Sequence, residues 1–195
     1  MRINYFGHSY FLIEGNEYSI ALDPFSGVGL NEVEVKADYI FCSHGHFDHN
    51  NVSLVSGAKM VENSKSFEII NCYHDERQGA LRGQNNVLLF SLDGYKVAFL
   101  GDLGEYSNKE LIDKLKNVDL LLIPVGGKYT IDENGAYEYA VKTKAKAVIP
   151  IHYKVGGSTI DIKSATYFLE KFNNFNTVQT PFEFDGQLGV IYVEL

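Results

Sequence analysis

The chain has 195 residues, 45% of them apolar and 22% charged, which excludes a disordered or fibrous protein and suits one compact domain over residues 1–195. Its formal net charge of −8 argues against a large basic footprint for nucleic acid or an anionic membrane, while leaving room for a small anionic substrate held by bound cations. The opening residues lack a basic stretch followed by an apolar run, no stretch is long and apolar enough to span a bilayer, and the only cysteines are Cys42 and Cys72; the expectation is a cytoplasmic protein with reduced thiols.

Along the chain, the first third predicts short strands at 2–6, 10–14 and 18–22, separated by Gly- and Asn-containing turns. A short apolar run at 39–42 predicts a buried strand that ends at Ser43. Strands follow at 66–72 and 86–92, and Asp93-Gly94 predicts a hairpin into 95–100. The second half changes rhythm, with a helix over 108–115 capped by Ser107 or Asn108 and a strand over 119–123 ending at Pro124. A helix over 134–142, a strand over 147–149, a helix over 163–171 and strands at 177–180 and 189–194 complete the series. Strands first, then alternating strands and helices, predict mixed sheets with helices packed outside.

The segment that carries chemistry is His44-Gly45-His46-Phe47-Asp48-His49, directly after a predicted strand. Alternate residues leaving a strand point in similar directions, so His44 and His46 can converge on one ion while Asp48 and His49 face a second. Imidazole with carboxylate suits zinc, manganese or iron. Given six histidines in the chain, H-x-H-x-D-H would arise by chance in roughly 3 of 10,000 such sequences, so surface histidines in a polar loop are a poor explanation. His74, Asp102 and His152 each follow a predicted strand as well, and Gly101 lets the backbone beside Asp102 come close to a site.

These residues resemble the metallo-β-lactamase superfamily of hydrolases, through HGHFDH at 44–49, His74, Gly101-Asp102 and His152. The opening GHSYFLIE at 7–14, LDP at 22–24 and PVGGKYTID at 124–132 place the resemblance nearest the compact branch of L-ascorbate-6-phosphate lactonase-like proteins and UPF0173 metal-dependent hydrolases. The resemblance implies an α+β fold, a four-layer αβ/βα sandwich with two mixed sheets and helices outside. It also implies a division of ligands, with His44, His46 and His74 on one metal, Asp48, His49 and His152 on the other, and Asp102 bridging them together with a hydroxide. Two divalent ions, zinc foremost with manganese or iron open, would activate that nucleophile toward a small anionic ester, lactone or phosphodiester. Asp48 and Asp102 are the expected catalytic residues, and no other cofactor-binding residue is expected.

Around that set, Asp23 at the end of a predicted strand could orient a ligand histidine or simply make a turn before Pro24. His8 could line the pocket or serve as a structural histidine. Lys128 and Lys154 could meet an anionic group or sit as solvated loop lysines, and Tyr106 could offer a hydroxyl. Where flavodiiron-type relatives carry a carboxylate, this chain has His46, which disfavours redox iron chemistry. The short run from His49 to His74 leaves no room for an inserted domain, and the acidity counts against a nuclease. The partner expected is a small-molecule substrate, with neither membrane nor nucleic acid, and the oligomeric state is left open. The rival of a different class is a non-catalytic metal-binding or regulatory protein that keeps the fold.

Overall fold

A computed structural model describes residues 1–195, and in it two mixed sheets pack face to face. The strands of the first half are β1 (Arg2–Tyr5), β2 (Phe11–Glu14), β3 (Ser19–Leu22), β4 (Val35–Lys36), β5 (Tyr39–Phe41), β6 (Val55–Ser56) and β7 (Lys59–Met60). Then come β8 (Phe67–Tyr73), β9 (Gln84–Leu92), β10 (Tyr95–Phe99), α1 (Lys109–Lys114), β11 (Leu120–Pro124), α2 (Glu133–Thr143) and β12 (Ala147–Ile151). The chain ends with α3 (Thr166–Leu169), β13 (Phe175–Gln179), β14 (Phe182–Glu183) and β15 (Gly189–Glu194). The first sheet has the order β14-β1-β2-β3-β5-β7 and the second β13-β15-β12-β11-β10-β9-β8, with β4 and β6 as a separate pair.

Side-chain alternation in the first sheet explains why it is covered on both faces. Phe11, Ile13, Ile20, Leu22 and Phe41 point inward to a core shared with Leu88, Phe90, Phe99 and Leu121 of the second sheet. Phe41 meets Phe99 edge-on across the two layers, with ring centroids 6.3 Å apart. The intervening residues Leu12, Ala21 and Ile40 face outward, where Phe25, Val28 and Leu54 from the connecting loops cover them. On the second sheet, β10, β11 and β12 run parallel, β11 and β12 are fully buried, and α1 and α2 provide the crossovers between them. Asn108 caps α1 through its side chain and Asp132 caps α2.

The expected strands all form, within a residue or two at their ends, and the hairpin at Asp93-Gly94 joins β9 to β10 with Leu92 opposite Tyr95. The helix expected over 163–171 contracts to Thr166–Leu169, because Ala165 offers no side-chain cap and the aromatic Tyr167 and Phe168 have little helical preference. The strand expected at 177–180 begins earlier, at Phe175, since pairing with β15 sets its register with Phe175 opposite Val190. The two-residue strands β4, β6, β7 and β14 were not foreseen, being too short to show a period. No helix is long and apolar enough to cross a membrane.

Candidate metal centre

Because β8 and β10 are both antiparallel to β9, and β10, β11 and β12 are mutually parallel, the C-terminal ends of β8, β10 and β12 lie along one edge of the second sheet. His74, Asp102 and His152 leave the chain at those ends. The 44–49 segment leaves β5 in the facing sheet and meets them across the sandwich. Backbone bonds tie the loops to one another. His152 N–H donates to His8 C=O at 2.8 Å, Gly104 N–H to Tyr73 C=O at 3.0 Å, and Asn86 N–H to Ser43 C=O at 2.9 Å.

The side chains gather into groups whose donor atoms lie within 4.8 Å of one another. One is His44, His46 and His74; a second is Asp48, His49 and His152 with His8 as a fourth member; a third, His44, His49 and Asp102, joins the two. Asp102 touches both, with Oδ2 at 3.2 Å from Nε2 of His74 and 3.2 Å from Nε2 of His152, and Oδ1 at 3.2 Å from Nε2 of His49. All the candidate ligands therefore converge. His8 joins them, its Nε2 standing 3.1 Å from Nε2 of His49 and 3.3 Å from Oδ2 of Asp48.

Electrostatics in the cluster follow burial and neighbours. Burial, reinforced by the neighbouring His49, pulls the His44 pKa down to about 3. Burial next to His152 pulls that of His8 down to about 4, and burial also lowers His46. These three imidazoles are thus neutral near pH 7, the form that ligates a cation. For Asp102, burial alone would raise the pKa, but His152 and His49 outweigh it and hold the carboxyl well below its ordinary range. Asp48 is likewise lowered against its burial by His8 and His49. Burial opposes charge on His49, yet the carboxylates of Asp102 and Asp23 raise its pKa well above the usual value. The pocket floor attracts positive charge.

Asp23 decides which ring nitrogens face that floor. Fully buried at the end of β3, it accepts from Ser43 N–H at 2.6 Å, from Ser43 Oγ–H at 2.6 Å and from His49 Nδ1 at 2.7 Å. Ser43 has spent its only hydroxyl proton on Asp23, so at 2.9 Å it accepts from His44 Nδ1–H. Nδ1 of both rings is thus the outer, proton-bearing nitrogen, and Nε2 of each points inward. Nε2 of His44 is buried with no hydrogen-bond partner in the protein. An orphaned imidazole lone pair beside anionic Asp102 is what a divalent cation fits, and the N/O donor set suits zinc, manganese or iron.

Holding this arrangement costs backbone strain. His8, Asp23 and His152 all adopt left-handed conformations, with φ of 55°, 43° and 50°, each worth on the order of 1–2 kcal/mol for a residue with a Cβ. Gly101, with φ of 51°, and Gly104 allow the close approach of Asp102: a Cβ on Gly101 would fall 2.3 Å from the Ser43 Cβ, and one on Gly104 2.3 Å from the His74 carbonyl carbon. Sequence reasoning missed Ser43, Asn85 and Asp75. Asn85 donates to Leu100 C=O at 2.9 Å and accepts from Asp102 N–H at 3.0 Å, fixing the Asp102 turn. No local pattern marks these residues; the one available signal is that Ser43 and Asp75 each adjoin a candidate ligand histidine.

A cavity of about 600 Å³ opens above the cluster, with His46, Asp48, Asp102 and His152 in its floor and Phe47, Arg82, Tyr129 and Ile160 at its rim. Lys128 and Lys154 do not line it. Lys128 pairs with Asp161, and Lys154 Nζ donates to the Ser158 and Ile160 carbonyls at 2.6 and 2.8 Å. Tyr106 is also elsewhere, accepting from Asp132 N–H at 3.0 Å and packing on Gly135. Cys42 and Cys72 are free, and burial pushes each thiol pKa up to about 12.

The chain is similar in sequence to UPF0173 metal-dependent hydrolases. The protein of that description from Geobacillus thermodenitrificans is 29% identical over 193 residues, spanning 78% of this chain and 85% of the relative. That from Pelotomaculum thermopropionicum is 30% identical over 193 residues, spanning 78% and 84%. A solved structure from Thermotoga maritima, assigned to the Zn-dependent hydrolases of the metallo-beta-lactamase superfamily, superposes with a TM-score of 0.79 at 29% identity and covers 99% of both chains. The family model described as a beta-lactamase superfamily domain matches residues 2–152, a span that holds every residue of the cluster from His8 to His152. With the two packed mixed sheets and the histidine–carboxylate edge between them, this chain belongs to the beta-lactamase superfamily, among its metal-dependent hydrolases.

Proposed function

We propose that this hydrolase is dinuclear and cleaves a small anionic ester, lactone or phosphodiester within one domain over residues 1–195. The observation that carries the reading is Asp102, one carboxylate within 3.2 Å of histidines from two donor groups. His44, His46 and His74 would hold one divalent ion, and Asp48, His49 and His152 the other, with Asp102 shared; zinc suits this set best, with manganese or iron also compatible. Such ions supply Lewis acidity toward a substrate oxygen and make water a nucleophile near neutral pH.

The protein's own part is orientation. Asp23 and Ser43 fix the ring orientations of His44 and His49, so Nε2 of each already faces the site. Asp48 lines the cavity with its carboxylate, which is held ionised and so a weak base. It orients the proton of an attacking water at Oδ2 rather than removing it outright. Asp102 is buried and fixed by the Asn85 side chain, so it keeps its place as charge builds on the substrate. The free thiols of Cys42 and Cys72 support a reducing, cytoplasmic setting.

The test pairs elemental analysis with hydrolysis of bis(p-nitrophenyl) phosphate and a simple lactone. Near two metals per chain and chelator-sensitive turnover are expected, with His46→Ala and Asp102→Ala losing metal and at least about a thousandfold in turnover. Full metal content and activity in both variants would overturn the site. Tight metal binding with no hydrolysis across a broad panel of esters, lactones and phosphodiesters would identify a non-catalytic relative instead.

A further inference from the structure

The rim of the cavity holds one guanidinium, that of Arg82, and no ammonium. Its loop is built on the floor of the site. Asp75, next to His74, accepts backbone N–H bonds from Arg77, Gly79, Leu81 and Arg82 at 2.7, 3.1, 3.0 and 2.8 Å. His74 N–H in turn donates to Gly83 C=O at 3.1 Å, closing the loop on itself. A single carboxylate thus winds residues 76–82 into a fixed turn whose last member is Arg82.

The Arg82 side chain is aimed but not neutralised. Nη2 donates to Lys128 C=O at 3.1 Å, and the guanidinium lies 5.6 Å from the centroid of the Tyr129 ring. No carboxylate oxygen lies within 4.0 Å of it, in a chain with 25 acidic residues. The nearby lysines are occupied differently, Lys128 by Asp161 and Lys154 by loop carbonyls. One of five N–H donors is used, which leaves a fork suited to bidentate capture of an oxyanion.

Opposite charge is only half of the rim. Phe47 is 62% exposed although it sits between ligand residues, and Tyr129 and Ile160 are half-buried on the same cavity. Lys154 braces the 158–160 turn that delivers Ile160. An exposed ring held beside a chemical site is a surface for apolar substrate rather than for water.

We propose that Arg82 is the specificity-determining residue of this cavity, and that the substrate joins one oxyanion, a carboxylate or phosphate, to an apolar body seated on Phe47, Tyr129 and Ile160. The substrate class rests on the hydrolase reading; the binding claim for Arg82 does not. Bare inorganic anions and wholly polar sugar phosphates fit the rim less well, since neither uses its apolar side.

The probe is 3-phenylpropane-1-sulfonate, whose sulfonate ligates metals poorly, compared with neutral 3-phenylpropan-1-ol, by calorimetry on the metal-replete protein. The wild type should bind the sulfonate at least tenfold more tightly than the alcohol. Arg82→Leu should lose that preference with its metal content and melting temperature intact, while Arg82→Lys restores part of it. The arms with 3-phenylpropionate and 3-phenylpropyl phosphate then rank carboxylate against phosphate. Sulfonate binding that survives Arg82→Leu, equal loss of sulfonate and alcohol, or no wild-type preference would each overturn the proposal. Sulfonate discrimination without turnover of any matched ester, lactone or phosphodiester would support Arg82 and remove the proposed substrate class instead.

Discussion

The floor of the cavity and its rim are built on opposite principles. Most of the floor is buried, with His46 and Asp48 reaching toward the cavity, and two of its histidines are held by residues that are themselves held: Asp23 grips Ser43 and His49, and Ser43 grips His44. Rim residues rest on one or two contacts apiece, and Phe47 is largely in solvent. A floor fixed before substrate arrives pays its ordering cost during folding, as a reactive centre requires, whereas a rim can be exchanged without disturbing the proposed metal ligands. On the proposed function, the chemistry belongs to the floor and the choice of substrate to the rim.

The sharpest test of that division removes the second layer of the floor. Asp23→Ala leaves every candidate ligand in the chain but deprives His49 Nδ1 and the Ser43 amide and hydroxyl of their acceptor, within a fully buried space. Metal affinity measured by competition with a chromogenic chelator should fall by about 10–100-fold. The buried donors left unpaired should also destabilise the metal-free protein by about 1–3 kcal/mol. Unchanged affinity would show that the ligands need no such support.

Acidity separates the two regions next. In the chelator-stripped protein, His44 and His8 have pKa values lowered to about 3 and about 4, against about 6.5 when unfolded. Below pH 6.5 the unfolded chain therefore binds protons that the folded chain refuses, and stability falls as pH drops toward 4. His49, whose pKa is raised, acts with the opposite sign but only above pH 6.5, so it does not cancel the effect in this window. Between pH 6.5 and pH 5 the melting temperature of the stripped protein should fall on the order of 5–10 °C. Sulfonate affinity at Arg82, which does not titrate there, should hold over the same range. A flat melting profile would mean that these imidazoles are not held neutral by burial.

The same contrast explains what could be read from the sequence. His44, His46, Asp48 and His49 are rare residue types packed into six positions, and the strands before His74, Asp102 and His152 are apolar runs, so floor and scaffold were both legible. The fold class followed from the order of those strands and from the resemblance. The Asp23 contact with His49 was one of two open readings, and geometry chose it. Arg82, Tyr129, Ile160 and Asp75 are ordinary loop residues whose spacing carries no period; only the folding of the 74–83, 125–132 and 158–160 loops over the edge brings the first three to the cavity. Two-residue strands such as β7 exist through long-range pairing alone and leave no local mark.

Phe47 is the case that blurs the boundary, since it lies inside the ligand motif yet belongs to the rim by exposure. Its backbone carbonyl accepts from Ser26 N–H at 3.1 Å, a bond that any side chain at this position would keep. Its ring lies beside Gly27 with most of its surface in solvent. Phe47→Ala should therefore change stability by no more than about 0.5 kcal/mol and leave metal content at the wild-type level. Apolar contact with a bound substrate is what it should lose. Covering part of a phenyl ring is worth about 1 kcal/mol, so KM for an arylalkyl ester should rise about fivefold while that for a methyl ester barely moves. A drop in metal content comparable to that of Asp23→Ala would place Phe47 in the floor, and the motif, rather than exposure, would then mark where the reactive centre ends.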